Sequence, residues 1–383
     1  MKRVLIVSFS PIYRDPRVTR QIEILSEHYE VSTVGFGKAP NLVQQHFDVP
    51  RRYLEPRTAP QKIQRFVNVR FGGGQRAYWA RPQFAYTRDW VKSHKDDFDV
   101  VLTNDVAAVP IGVASGLPFH ADLHEYALDQ GRTIKWRLST LPTVKWAASL
   151  LHEAGSTSTV APGIASRYAE EYGIDPFIVT NAPAFRPDIT PTPTHSPIRL
   201  VHMGAANIDR RLDMPIRAVL EANKKHPGRF TLDNYLVPGD QTYIKELQQL
   251  AGNPKETGIR ILEPITFEQI IPTLHKYDTA FAFFPPTTIN LKHTLPNKFF
   301  EAVQARISVI TGPSPEMGPY LEEYGFGTTT KNWTQESLNQ TVETLTPETI
   351  NQWKQATNTA AEPLGATHQD KKWLTAINRL AGE

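Results

Sequence analysis

The chain twice alternates short apolar runs with amphipathic helical patterns, and the stretch between the two halves does neither. Residues 181–197 read NAPAFRPDITPTPTHSP, with five prolines and no helical or strand period. Proline removes a backbone donor and fixes φ, so such a run punctuates the chain. Before it, Val4–Ser8, Glu30–Phe36, Asp99–Thr103 and Phe119–Leu123 read as strands, with Val160–Ala161 and Phe177–Thr180 closing the half. Val18, Ile22, Leu25 and Tyr29 recur at helical spacing after Pro16, and a helical run leads to Gly116. After it, Ile198–Met203, Phe230–Val237, Arg260–Leu262, Ala280–Phe284 and Ser308–Thr311 are strands, and Met214–Asn223, Pro296–Ala305 and Lys371–Leu380 are helices. Strands that alternate with helices pair in parallel, because each parallel return needs a crossover. The expected fold is α/β: a Rossmann-like domain over 1–185, a linker over 186–197 and a second such domain over 198–365.

Length agrees with two domains. A chain of 383 residues exceeds what one ordinary core organises. The 40% hydrophobic and 21% charged residues are those of a globular protein. No apolar run approaches the ~20 residues of a membrane span. The opening Met1-Lys2-Arg3 and Val4–Phe9 are too short for a signal peptide and are met at once by Pro11, Arg14 and Asp15, so they read as a first buried strand. With no targeting signal in view, the cytoplasm is the expected location. The absence of cysteine excludes disulfides, thiolate metal sites and a cysteine nucleophile.

Charge is uneven. Residues 51–95 hold eleven Lys/Arg against two Asp/Glu, an excess of nine where the whole chain has +3, so the remainder is net acidic. Phe66, Phe71, Tyr78, Trp79, Phe84 and Trp90 lie among these charges, and Gly72-Gly73-Gly74 breaks the stretch. A membrane surface, a phosphorylated acceptor, nucleic acid and a solvated helical insertion all fit that mixture. Arg132–Leu151 has a similar flavour.

Four motifs sit where an α/β sheet presents ligands. The first is Leu295-Pro296-Asn297-Lys298-Phe299-Phe300-Glu301-Ala302. Proline suits a first helical turn, with Thr294 as the cap before it. Lys298 and Glu301 share a face one turn apart, while Phe299 and Ala302 face the core. A helix N-terminus with a lysine attracts phosphate, and a carboxylate one turn further in can accept from ribose hydroxyls. An ordinary amphipathic helix with a surface Lys–Glu pair has the same pattern. The second is Gly204-Ala205-Ala206-Asn207-Ile208-Asp209-Arg210-Arg211, between a strand and a helix. Glycine there lets a ligand approach the backbone, and an arginine can clamp a diphosphate; solvated arginines on a turn read alike. The third is His120-Ala121-Asp122-Leu123-His124-Glu125, with His120, Asp122 and His124 on one strand face. That spacing suits metal ligands, but no further ligand motif accompanies it. The fourth is the loop from Ser8 to Arg17, in which Asp15 can cap the next helix. No G-x-G-x-x-G occurs, so the nicotinamide and flavin fingerprint is missing.

Taken together these residues resemble the glycosyltransferases of family 4, which have the GT-B fold of two facing Rossmann-like domains. The resemblance runs through Asp15-Pro16-Arg17-Val18, Asp122-Leu123-His124-Glu125, Asn181-Ala182-Pro183, the Gly204–Arg210 turn and the Leu295–Ala302 helix. It implies a retaining transfer of a hexose-type sugar from a nucleoside-diphosphate sugar to a glycan or glycolipid hydroxyl, as in envelope polysaccharide synthesis. It also implies a helix over 366–383 that packs back on the first domain. Arg210 and Lys298 would neutralise the diphosphate, Gly204 would admit sugar or phosphate, Glu301 would hold the ribose, and Asn297 opens the same helix. His124 would lie near the transferred sugar, with Ser10, Arg14 and Glu125 on the acceptor side.

Two positions depart from the family. A second Glu that many members carry eight residues before the ribose Glu is His293 here, which leaves Asn290, Lys292 and His293 as candidates for the sugar. The Gly that often follows the phosphate-binding Arg is Arg211, so either arginine can be the ligand, with Arg210 favoured. No carboxylate stands out as a nucleophile, so departure and attack on one face are expected. With two cations at the diphosphate, neither metal nor cofactor is expected, and nucleic acid is not an expected partner. The acceptor is expected at an anionic membrane surface met by 51–95, with the chain peripheral on its inner face. A nucleotide-sugar epimerase of the same fold and a non-catalytic binding relative are the alternatives.

Overall fold

In a computed structural model the chain is described for residues 1–50, 67, 72–131 and 133–383. It divides into two compact units, Met1–Thr180 with Gln369–Glu383, and Asn181–His368. Each is a parallel sheet flanked by helices.

The first unit has seven strands: β1 (Arg3–Ser8), β2 (Glu30–Gly35), β3 (Gln45–Asp48), β4 (Val100–Asn104), β5 (Phe119–Leu123), β6 (Ser156–Thr159) and β7 (Phe177–Ile178). Their order is β3-β2-β1-β4-β5-β6-β7, all neighbours parallel. Strands β1, β4 and β5 are buried along almost their whole length because helices cover both faces of the sheet. The helix Pro16–Ser26 buries Val18, Ile22 and Leu25 against Val4, Ile6, Val100 and Leu102. Asp15 caps it, accepting from the N–H groups of Arg17 and Val18 at 3.2 and 3.3 Å. Ile377 of the last helix, Ala366–Ala381, joins the same core, and the buried Trp373 indole donates to Ser158 at 3.2 Å.

The second unit has six strands: β8 (Ile198–Ala205), β9 (Phe230–Val237), β10 (Ile259–Leu262), β11 (Thr279–Ala282), β12 (Ser308–Thr311) and β13 (Gly327–Thr329), in the order β10-β9-β8-β11-β12-β13. Phe230, Leu232, Phe281, Phe283 and Ile310 anchor its core. Residues 181–197 carry neither helix nor strand. They are tied to this unit through Asp278, which is fully buried. That carboxylate accepts from the His195 imidazole at 2.9 Å and from the Lys354 ammonium at 3.0 Å.

Several local expectations are corrected. The strand expected at Val160–Ala161 lies earlier, over Ser156–Thr159, because its Ser/Thr side chains bond inward to His120, Asp122 and the Leu123 carbonyl. Thr294 does not cap the helix at Asn297–Gln304; Pro296 occupies that position with no side-chain bond. The three glycines do not break the basic stretch: they lie within helix, described over 72–79. A side chain at Gly74 would collide with the Pro142 carbonyl and Trp146, so glycine lets this segment pack against Leu141–Ala148. Most of the basic surface expected over 51–95 falls on 51–66 and 68–71, which lie outside the described residues, as does Arg132. Among the described residues no helix is long and apolar enough to cross a membrane.

Candidate functional site

Both sheets reverse strand order beside their first strand, between β1 and β4 and between β8 and β11. In open parallel sheets ligands bind beyond the strand carboxyl ends at such points. The candidate residues gather at these two places, one in each unit.

In the second unit β8 ends at Gly204 and Ala205. Asn207 then caps a single turn, Ile208–Arg210, by accepting from the Asp209 N–H at 2.9 Å. Gly204 has φ +155°, and a Cβ there would stand 2.5 Å from the Lys298 side chain and 3.1 Å from the Arg210 guanidinium. Glycine therefore makes room for two cations side by side over the strand end. Arg210 lies 5.6 Å over the Phe284 ring, and among the described residues it makes no ion pair. Its neighbour, the exposed Arg211, turns away at φ +51°, ψ +48°, and grips the half-buried Asp213 carboxylate at 3.0 and 3.1 Å. That left-handed backbone is the one glycine adopts most readily.

Lys298 and Glu301 stand on one face of Asn297–Gln304, whose other face buries Phe299, Phe300, Ala302 and Val303. Glu301 is 5% exposed, and its carboxylate has no hydrogen-bond partner among the described residues. Burial pushes its pKa up, against the pull of Lys298. Burial also holds Lys298 below the usual lysine range, helped by the Arg210 charge and opposed by Glu301. Burial alone lowers Arg210. The pocket thus holds two cations and a carboxylate short of partners, a state that an anion and a pair of hydroxyls would relieve.

One residue was missed from the sequence. His202, on β8 two positions before Gly204, is 2% exposed. Its Nδ1 donates to the Phe281 carbonyl at 3.2 Å, and its Nε2 has no partner among the described residues. Burial, Lys298 and Arg210 drive its pKa down to about 3, so it is a neutral acceptor. The signal was its place two residues before a glycine at a strand end, on the same strand face.

Not every donor-side candidate joins this group through a described contact. Asn290 sits on the single turn Ile289–Lys292, and His293 ends that turn with its imidazole bonded to Glu316 at 2.7 Å. Asn297 is the first residue of the Lys298 helix.

In the first unit His124 lies just past β5. Its Nε2 bonds to the Asn104 amide oxygen at 2.9 Å and lies 3.4 Å from Asp122, while its Nδ1 faces Asp105 at 3.5 Å. Burial would lower its pKa, but Asp105 and Asp122 outweigh it and raise it to about 9, so the ring is an imidazolium at neutral pH. Asp122 is fully buried and gripped by Arg17 through two 2.6 Å bonds, by Gln21 at 2.7 Å and by Ser158 at 2.5 Å. Although burial disfavours its charge, Arg17 and His124 hold its carboxyl well below the usual range. His120 is spent on Ser156 and Ser158, both at 2.8 Å, and burial lowers it to about 4. The His-Asp-His spacing is thus a structural clamp. Among the described residues no group of three or more His, Asp or Glu side chains is arranged to hold a metal ion. Ser10 bonds to Ser8 and Asp15 at 2.8 Å each, Arg14 is exposed over Tyr13, and Glu125 is exposed and accepts from Gln130 at 2.8 Å.

No protein-family model matches the chain, and no curated protein matches it. Solved structures do. Sucrose-phosphate synthase from Thermosynechococcus elongatus aligns with a TM-score of 0.70 at 10% identity, over 99% of this chain and 98% of its own. A UDP-forming alpha,alpha-trehalose-phosphate synthase from Burkholderia vietnamiensis aligns with a TM-score of 0.68 at 10% identity, over 100% of both chains. A putative UDP-N-acetylglucosamine 2-epimerase from Listeria monocytogenes aligns with a TM-score of 0.61 at 14% identity, over 99% of this chain and 96% of its own. At such identities the likeness establishes the fold, two Rossmann-like α/β units in one chain, and it extends over both.

Proposed function

We propose that the chain is a glycosyltransferase of the family 4 type, moving a hexose-type sugar from a nucleoside-diphosphate sugar to a hydroxyl of a glycan or lipid-linked acceptor, with retention. One observation carries this reading: the unpartnered, buried Glu301 carboxylate lies one helical turn from Lys298, which stands with Arg210 over Gly204. Glu301 accepts the ribose hydroxyls, and Lys298 and Arg210 hold the diphosphate. The fold supports the reading, since synthases named for sugar phosphates share it.

The reaction must stabilise a leaving diphosphate. Preorganised cations in a site poor in water meet that demand, and such electrostatic stabilisation is usually the largest catalytic contribution. Arg210 and Lys298 supply two charges, so the mechanism calls for neither metal nor cofactor. The imidazolium of His124 is not a base; with its two N–H groups directed at Asn104 and Asp105, it supplies positive charge near the transferred sugar. The enzyme works in envelope polysaccharide or glycoconjugate synthesis, in the cytoplasm, peripheral on the inner face of the membrane. Exposed Ile134 and Leu138, one turn apart and flanked by Lys135 and Arg137, support contact with an anionic lipid surface.

A thermal-shift panel of UDP-, GDP-, ADP- and dTDP-sugars tests the donor site. At least one should raise the melting temperature, and Lys298→Ala and Glu301→Ala should each abolish the rise. A rise that survives both substitutions removes this site. The likeness to a putative epimerase favours a second reading, conversion of the donor itself. It would be recognised by a new nucleotide sugar formed with no acceptor present.

A further inference from the structure

The first unit holds a cavity of about 220 Å³ beyond the ends of β1 and β4, where its strand order reverses. Every residue lining it belongs to that unit. A cavity of ~150 Å³ accommodates benzene, so this one suits a single six-membered ring with its substituents.

Its walls come from elements far apart in sequence. Tyr78 and Phe84 stack at 4.1 Å, and the Tyr78 hydroxyl is fixed on the Ala107 carbonyl at 2.5 Å. Thr143 and Ala147 line it from the helix Leu141–Ala148, which the close packing at Gly74 holds in place.

Most polar groups there are already committed. Ser8 bonds to Ser10, and the Asn104 amide bonds to Gln21 and His124. Thr143 and Asp105 retain capacity to accept or donate. Thr143 is 2% exposed, and its hydroxyl has no partner among the described residues. Asp105 stands at φ +64°; one carboxylate oxygen accepts the His124 backbone N–H at 3.0 Å and the other lies 3.5 Å from His124 Nδ1, and each oxygen keeps a further lone pair for a ligand hydroxyl. A buried hydroxyl without a partner is unfavourable and is rare in native proteins, so a ligand hydroxyl is its natural complement. Arg81 and Asp105 are the charged residues that line the cavity, one of each sign, so the lining carries no excess positive charge to hold a phosphate.

We propose that this cavity binds one uncharged hexopyranose ring, the terminal sugar of the acceptor, through its C–H faces on the aromatic walls and its hydroxyls on Thr143 and Asp105. Its role as acceptor site rests on the glycosyl-transfer reading; the binding does not.

Saturation-transfer NMR on the intact protein without any donor tests it. The probes are methyl glucoside, galactoside and mannoside, each beside its 6-phosphate. At least one neutral glycoside should bind. Ala147→Phe, which fills the cavity, should weaken it about tenfold, and Thr143→Val several-fold, with UDP affinity unchanged in both. The proposal is overturned if no neutral glycoside binds, if a 6-phosphate binds more tightly than its parent, or if Ala147→Phe leaves binding intact. Should Ala147→Phe not fold, Thr143→Val and the phosphate comparison decide. Lys298→Ala should leave glycoside binding unchanged, so a failed nucleotide site and a failed cavity give different results.

Discussion

The switch points of the two sheets share a topology and differ in chemistry. Beyond β8 and β11 the second unit assembles two cations, a buried carboxylate and a neutral histidine, all short of partners. Beyond β1 and β4 the first unit assembles an aromatic cavity, and its strongest charges are spent on each other: Arg17 with Asp122, and His124 with Asp122 and Asp105. The parallel sheet supplies a place for a ligand in both; side chains decide whether that place demands charge or shape. Under the proposed function the site beyond β8 and β11 takes the diphosphate of the donor, and the one beyond β1 and β4 a neutral ring of the acceptor.

The largest expected effect breaks the first unit's internal pairing. Arg17→Met leaves Asp122 buried without its main partner and should destabilise the protein by about 3–5 kcal/mol, read in urea unfolding. Nucleotide binding should survive wherever the fold does. If stability barely moves, the first site is not held by paired charge and the contrast fails.

Lys298→Ala strikes the other site. It should lower kcat/KM by about 100- to 1000-fold with little change in melting temperature, because among the described residues its ammonium makes no hydrogen bond or close ion pair that the fold would lose. A large loss of stability instead would make Lys298 structural.

The pH dependence of His124 sharpens the comparison further. Its folded pKa of about 9 lies above the ordinary histidine value, so its contribution is full below about pH 6.5 and is lost as pH rises through about 9. The contribution is about 3 kcal/mol at most, and His124→Gln should flatten the alkaline fall in stability over that window. His202 and His120, lowered to about 3 and about 4, act in the opposite sense, and their contributions are lost as pH falls below about 6.5.

The smallest effect concerns Arg211. Arg211→Gly should relieve a left-handed backbone and stabilise by about 1 kcal/mol, since its exposed pair with Asp213 is worth little. Nucleotide affinity should not change, whereas Arg210→Ala should weaken it about tenfold or more. Equal losses from both would erase the distinction between the two arginines.

What could be read from the chain follows from how local each signal is. The apolar runs at Val4, Val100, Ile198 and Ser308 announce strands because both sheet faces are covered. Strand β3, half-exposed at an edge, carries no such run and escapes notice. The Lys298–Glu301 pair is legible because both residues sit on one helix. Their meeting with Arg210 over Gly204 joins residues almost ninety positions apart, and spacing cannot encode it.

The histidine motif shows the limit from the other side. His120, Asp122 and His124 look alike in the sequence, yet they become a neutral ring, a gripped anion and a cation. Arg17, Asp105 and Ser158 decide this, and they arrive from other strands and helices.

By itself the sequence determined the α/β class, the two repeated halves and the helix that carries Lys298 and Glu301 on one face, because periodicity acts over a few residues. Only the tertiary structure decided which charges remain unpaired, which arginine stands beside Lys298, and that a ring-sized cavity opens beside β1 and β4. Each of these depends on burial and on partners brought together across the chain.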